Sequence, residues 1–113
     1  MRELLSGKIH NATVTEADIN YIGSITIDES LIKKVNFWPG QKVLVVSNKT
    51  GVRLETYIIV GAKNSGVICM NGASARLIKK GEEIIIMGFE ISAKPIEAKT
   101  ILVNKKNQFV KYL

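Results

Sequence analysis

Lys42-Val43-Leu44-Val45-Val46-Ser47-Asn48-Lys49-Thr50-Gly51-Val52-Arg53-Leu54-Glu55-Thr56-Tyr57-Ile58-Ile59-Val60 is the stretch that decides the fold class. Lys42 to Ser47 is a short run rich in valine, a residue that packs well on a pleated surface. Asn48-Lys49-Thr50-Gly51 has hairpin-turn chemistry, and Val52 to Val60 returns as a second strand. Alternation along it sets Arg53, Glu55 and Tyr57 on one face and Thr56 on the other.

The same texture continues outward. Lys8 to Val14 reads as a first strand and Ser24 to Ile27 as a second. Asp28 is placed to N-cap a short helix over Glu29 to Val35, with Leu31, Ile32 and Val35 on its apolar face. Trp38-Pro39-Gly40 makes a turn, and Lys63-Asn64-Ser65-Gly66 makes another before a strand over Val67 to Met70. Asn71-Gly72 breaks that strand, and Ala73 to Ile78 forms one or two helical turns ending near Gly81. Ile84 to Met87 is a buried strand continuing to Ile91, with a bulge expected at Gly88. Lys99 to Asn104 is the last strand, and Lys105 to Leu113 carries no motif. The expectation is a mainly β domain with short helices, its sheet closed into a barrel that hides its edges.

Bulk properties narrow the function. A chain of 113 residues is one domain, and so small a core gains from oligomerisation. One cysteine, Cys69, excludes an intrachain disulfide and suits a reducing cytoplasm. No apolar run reaches the ~20 residues of a membrane span, and the first eight residues do not read as a signal peptide. The net charge of +6 is spread over scattered lysines rather than an arginine-rich arm, which disfavours nucleic acid as partner. His10 and Cys69 alone make no metal-ligand set.

The chemistry lies in Ala17-Asp18-Ile19-Asn20-Tyr21-Ile22-Gly23-Ser24-Ile25-Thr26-Ile27-Asp28. A serine hydroxyl beside a peptide carbonyl can attack it when the backbone bends toward it. A glycine at 23 frees that backbone and can store strain. Three other segments stand in compatible order: Gly7-Lys8-Ile9-His10, Gly51-Val52-Arg53-Leu54-Glu55-Thr56-Tyr57 and Asn71-Gly72-Ala73-Ser74-Ala75. Together the four resemble the pyruvoyl-dependent aspartate 1-decarboxylases, over most of residues 7 to 91. Ser74, where the family loop usually has alanine, and Arg76 just beyond it are departures that leave the chemistry intact.

The resemblance implies a double-psi β-barrel and a homotetramer with active sites between subunits. It implies self-cleavage at Gly23-Ser24 into a β chain of residues 1–23 and an α chain of 24–113, spontaneously or with a maturation factor. The cut follows an N-to-O acyl shift and a β-elimination, and leaves a covalent pyruvoyl cofactor derived from Ser24. That ketone would form a Schiff base with L-aspartate and accept the electrons released with carbon dioxide. The product, β-alanine, feeds pantothenate and coenzyme A synthesis.

The site residues then take roles. Arg53 grips a carboxylate with its planar fork, and Lys8 serves the other carboxylate or steers the substrate. Tyr57 gives the proton that replaces the lost carboxylate, since a phenol holds its proton at neutral pH. The resemblance assigns Thr56 to processing, polarising the Gly23 carbonyl, which requires either a bulged strand or action from the opposite face. Asn71 positions the processed group or stabilises developing charge, and Gly72, Ala73 and Ser74 approach the substrate closely. An Asn-Gly pair is also the ordinary mark of a type I′ turn. His10, on the face of Lys8, is linked to processing, and Tyr21 shapes the loop. Two other readings compete: a basic β-barrel module that binds nucleic acid or regulates transcription, and a family member that no longer cleaves and serves only in assembly.

Overall fold

The computed structural model describes residues 1–113. In chain order the strands are β1 (Arg2–Thr13), β2 (Glu16–Asp18), β3 (Ser24–Asp28), β4 (Lys42–Ser47), β5 (Arg53–Gly61), β6 (Ile68–Asn71), β7 (Glu83–Ser92), β8 (Lys99–Val103) and β9 (Phe109–Tyr112). Helix α1 (Glu29–Lys34) follows β3, and a 3₁₀ turn (Gly72–Arg76) follows β6. No helix is long and apolar enough to cross a membrane.

The valine-rich hairpin forms as expected, with Val45 opposite Leu54 and Val43 opposite Thr56. It sits in the middle of the strand order β2-β6-β3-β5-β4-β7-β1-β8-β9. Each half of the fold contains a strand with one parallel and one antiparallel neighbour. β3 runs parallel to β5 and antiparallel to β6, and β1 runs parallel to β8 and antiparallel to β7. Only Val14 and Thr15 separate β1 from β2, although β2 pairs with β6 at the far end of the order. The amides of those two residues donate to Glu82 and Ile68 at 2.9 and 2.8 Å, stitching the two ends together. The fold is therefore the mainly β, double-psi type of barrel with short helices.

Alternating residues fill its interior: Ile9, Ile25, Ile27, Val43, Val45, Ile58, Ile68, Met70, Ile84, Ile86 and Ile101 are each at most 2% exposed. Leu31, Ile32 and Val35 of the α1 face are buried against them.

Three details differ from the sequence expectation. The strand β9 forms where no signal was read; it pairs with β8, and the edge of Phe109 stacks on Tyr112. The short β2 was also unread. The bulges fall in β1, at Ser6 and around His10-Asn11, and not at Gly88, which pairs directly with Gly7. Gly88 and Gly7 are small for another reason: a Cβ on either would collide with the Phe37 ring. Asn11 absorbs its bulge with φ of 65°, a conformation asparagine tolerates.

Asp28 ties α1 to the barrel. Its Oδ1 accepts from the Ser30 amide at 2.8 Å, the Ser30 hydroxyl at 2.8 Å and the Asn64 amide at 2.9 Å; its Oδ2 accepts from the Gly66 amide at 2.8 Å. Burial pushes this carboxyl up, but the Gly66 amide, the Ser30 hydroxyl and the other amides outweigh it and hold it below its ordinary 3.8. Glu82 is held below 4.5 by the Ser47 hydroxyl, against burial, with help from the Lys79 amide and the Lys49 and Lys79 charges. A depressed carboxylate adds stability that is complete above its unfolded pKa and lost as pH falls through the folded one. The melting temperature should therefore hold level from pH 7 to about 5 and fall steeply below about 4. Asp28→Asn should lower it at pH 7 and flatten the acid slope; an unchanged slope would show that Asp28 is not the source.

Candidate active site

Ser24 opens β3 and pairs with Asn71, the last residue of β6. Both are nearly sealed from solvent, at 3% and 2% exposure. The Ser24 hydroxyl donates to the Ile22 carbonyl at 2.8 Å and accepts from Asn71 Nδ2 at 2.9 Å. It thus stands beside the Gly23 carbonyl with its proton and one lone pair already engaged.

Gly23 departs from the expectation of stored strain. Its φ is not positive, and a Cβ placed on it would meet nothing within 4 Å. The glycine that the geometry requires is Gly72, whose φ is +72° and whose Cβ would lie 2.7 Å from Gly23 Cα and 2.9 Å from Gly23 N. The Asn-Gly pair is accordingly no type I′ turn, which needs positive φ at both residues. Asn71 is extended, at φ −112°, and Gly72 begins the 3₁₀ turn while packing against the Gly23 backbone. Gly72→Ala should push the 21–23 loop aside, lower the melting temperature by several degrees and slow chain cleavage at least tenfold. Cleavage at the parental rate would show that the contact yields freely.

Tyr57 reaches the same neighbourhood from β5. Ile25 pairs in parallel with Ile58, so Ser24 stands level with Tyr57. Ile25 and Ile58 point into the core, so Ser24 and Tyr57 share the outer face. Tyr57 is 57% exposed, and its hydroxyl makes no hydrogen bond within the chain. Thr56 lies with Leu54 and Ile58 on the core side, 8% exposed, and β5 carries no register shift against β4. Of the two routes open to Thr56, the bulged strand is thus excluded, and any action must come from the opposite face.

The remaining candidates come from other places on β5, from β1 and from the 3₁₀ turn. Arg53 lies four residues before Tyr57 on β5, roughly 13 Å along the strand. It lines an open groove with Glu3, Gln41, Lys42, Glu55 and Phe89. Lys42 there pairs with Glu55 at 3.2 Å, an exposed contact that raises the Lys42 pKa. Lys8 and His10 lie on β1, with β5, β4 and β7 between it and β3. His10 Nδ1 is buried without a hydrogen-bond partner. Ala73 is exposed, and the Ser74 hydroxyl donates to the Asn71 carbonyl at 2.9 Å, so it fastens the loop.

Two residues at the site had no place in the sequence reading. Asn71 Nδ2 also donates to Thr26 Oγ1 at 3.0 Å, and the Cys69 thiol lies 3.0 Å from Asn71 Oδ1. The signal was present: polar residues alternate with apolar ones in Ser24-Ile25-Thr26-Ile27 and in Ile68-Cys69-Met70-Asn71, which marks a polar outer face on both strands.

The profile of the family described as aspartate decarboxylase matches residues 1–110. The chain is 49% identical to the aspartate 1-decarboxylase of Bacillus subtilis (strain 168), over 99% of this chain and 91% of that one. It is 51% identical to the aspartate 1-decarboxylase of Clostridium botulinum (strain Alaska E43 / Type E3), over 92% of this chain and 87% of that one. A solved structure of a computationally designed protein, msDPBB_sym2, overlays 77% of the chain with a TM-score of 0.47 and 15% identity, a likeness too slight to argue from. With a match that runs nearly end to end, the chain belongs to the aspartate decarboxylase family.

Proposed function

We propose that this chain cuts itself between Gly23 and Ser24 and then decarboxylates L-aspartate to β-alanine, on the route to pantothenate and coenzyme A in the cytoplasm. The observation that carries the reading is the buried Ser24 hydroxyl, fixed between the Ile22 carbonyl and the Asn71 amide beside the Gly23 carbonyl. The Ser24 Oγ bonds to the Gly23 carbonyl carbon, the C–N bond breaks, and the freed nitrogen takes the hydroxyl proton. Loss of the Ser24 Hα with elimination of the Gly23 carboxylate cuts the chain. Hydrolysis of the resulting dehydroalanine releases ammonia and leaves a pyruvoyl group on residue 24.

The residues around position 24 fit such a group: Gly72 packs its bare Cα against the Gly23 backbone, and Asn71 keeps a hydrogen-bond donor aimed at the Ser24 side chain. That group would supply an electrophilic carbonyl for the substrate amine and a sink for the electrons released with carbon dioxide. Tyr57 holds an unengaged phenol on the same face and donates the proton to the carbon that lost its carboxylate. Arg53 grips the retained carboxylate; a tight hold on the departing one would stabilise the ground state and slow its loss. Lys8 adds positive potential that draws a dianionic substrate.

The assembly we propose is a homotetramer with sites shared between subunits. Its support is twofold. Ile22, Tyr21 and Tyr57 around Ser24 are 76%, 51% and 57% exposed, an apolar rim that a neighbouring copy would cover. Arg53 stands roughly 13 Å along β5 from the level of Ser24, a gap that a second copy can fill. Denaturing mass spectrometry of aged protein tests the reading. Two fragments divided after residue 23, the larger carrying a carbonyl in place of the serine amine, with carbon dioxide release from aspartate, are expected. An intact chain that releases none would refute it.

A further inference from the structure

Asn71 has both of its side-chain protons and one lone pair of its oxygen engaged. One Nδ2 proton goes to Ser24 Oγ at 2.9 Å and the other to Thr26 Oγ1 at 3.0 Å, while Oδ1 receives the Cys69 thiol at 3.0 Å. These four residues are two adjoining cross-strand pairs, Ser24 with Asn71 and Thr26 with Cys69, on the outer face of β3 and β6. The diagonal from Asn71 to Thr26 is the usual second-nearest contact across an antiparallel pair.

The arrangement selects one orientation of a group that could otherwise turn over. Rotation about the last side-chain bond of an asparagine exchanges its oxygen and nitrogen at little cost in shape. Turned over, Asn71 would point its NH₂ at the Cys69 sulfur, a weak acceptor, and its oxygen at Ser24 and Thr26. Ser24 has one proton, and it is already given to the Ile22 carbonyl at 2.8 Å. Its lone pairs would then face the Asn71 oxygen. The thiol strengthens the choice: burial and the neighbouring Glu16 and Asp18 charges push the Cys69 pKa up, so the sulfur keeps its proton and remains a donor.

We propose that Thr26 and Cys69 are positioning residues for self-cleavage: the Cys69 thiol sets the Asn71 amide with its NH₂ toward Ser24 Oγ, and the Thr26 hydroxyl anchors it in that place. This deepens the reading that Ser24 is the cleaving hydroxyl and rests on it. Held so, Ser24 Oγ gives its proton to Ile22, accepts one N–H and keeps one lone pair free for the Gly23 carbonyl carbon. The accepted N–H also stabilises the negative charge that grows on Oγ as its proton leaves. Neither Thr26 nor Cys69 touches the reacting carbonyl; both act through Asn71.

The test follows the precursor and needs no decarboxylase assay. Thr26→Val, Thr26→Ser, Cys69→Ala and Cys69→Ser are purified fresh, checked for melting temperature, and followed by denaturing mass spectrometry as they cleave. Thr26→Val and Cys69→Ala should each slow cleavage about tenfold, the usual worth of one such hydrogen bond. The two serine variants, which keep a hydroxyl in place, should recover to within about threefold of the parent. An independent readout comes from the uncleavable Ser24→Ala chain. Its Asn71 side-chain amide protons should give two sharp signals displaced from the positions of a free amide in ¹⁵N-correlated spectra, and adding Thr26→Val should broaden both and move them toward those positions. If the parent cleaves and the folded Thr26→Val and Cys69→Ala chains cleave equally fast, the positioning role is overturned while the Ser24 reading stands. If the parent itself never cleaves, both fall together. Should Thr26→Val fold poorly, Thr26→Ala and the amide spectrum decide the matter in its place.

Discussion

Ser24→Ala will leave the chain whole at 113 residues, and carbon dioxide release from aspartate will fall to background, at least about a thousandfold below the parent. The size of the loss comes from the double use of one atom. In the proposed route Ser24 Oγ is the nucleophile that opens the Gly23 peptide, and its carbon skeleton would become the electrophile that takes the substrate amine. No other hydroxyl substitutes. The Thr26 hydroxyl lies on the same face but two residues further along the strand, bound to Asn71. The Ser74 hydroxyl is bound to the Asn71 carbonyl. The fold should survive, because alanine at this place removes two hydrogen bonds and leaves one Asn71 N–H unpaired, a cost of about 1–3 kcal/mol. Circular dichroism should be unchanged, and the melting temperature should drop by several degrees. Intact mass over days and gas release are the measurements. A Ser24→Ala chain that still divides after residue 23, or still turns over aspartate, would remove the central atom from the mechanism.

The β architecture was legible because it rests on local alternation. Val43, Val45, Ile84 and Ile86 point inward at every second position, and the Asn48–Gly51 turn fixes the hairpin register. Asp28 was legible as a cap because an aspartate before Glu29-Ser30-Leu31-Ile32 has few other reasons to be there. Its four hydrogen bonds to two separate segments were not, since Asn64 and Gly66 approach only once the barrel closes. The strand β9 was missed because Phe109-Val110-Lys111-Tyr112 is mostly exposed at a sheet edge and shows no apolar alternation. Gly88 was misread as a bulge because sequence shows the missing side chain but not the Phe37 ring that requires its absence.

The site divides the same way. Ser24 was found through a motif, yet the place that demands a glycine is Gly72, with its positive φ and its contact on the Gly23 backbone, rather than Gly23. Contacts between residues 23 and 72, or 26 and 71, depend on the pairing of β3 with β6, which no local pattern announces. The parallel pairing of β3 with β5 is similarly non-local, and it alone sets Tyr57 level with Ser24.

That pairing makes Tyr57→Phe the most selective variant. It should cleave at the parental rate and then lose about a hundredfold to ten-thousandfold in kcat, the range expected for removal of a positioned proton donor. The separation of the two effects follows from the hydrogen bonds. Ser24 is engaged by Ile22 and Asn71 and not by Tyr57, so the hydroxyl of residue 57 has no part in holding the precursor. Stability should barely change, because the phenol oxygen makes no hydrogen bond in the chain and the ring is 57% exposed. KM should stay within about threefold of the parent, since an interaction made only as the carbon is reprotonated lowers kcat without weakening substrate binding. The products give a sharper test. A carbanion that waits longer for its proton takes it from solvent, so residual β-alanine formed in deuterium oxide should carry deuterium without the stereochemical preference of the parent. A rise in KM with kcat intact would make Tyr57 a binding group, and full activity would give its hydroxyl no part in turnover; either leaves the proton to another donor. A failure to cleave would mean that the outer face of β5 already acts on the precursor, and that the two reactions share more of their machinery than the geometry of one chain displays.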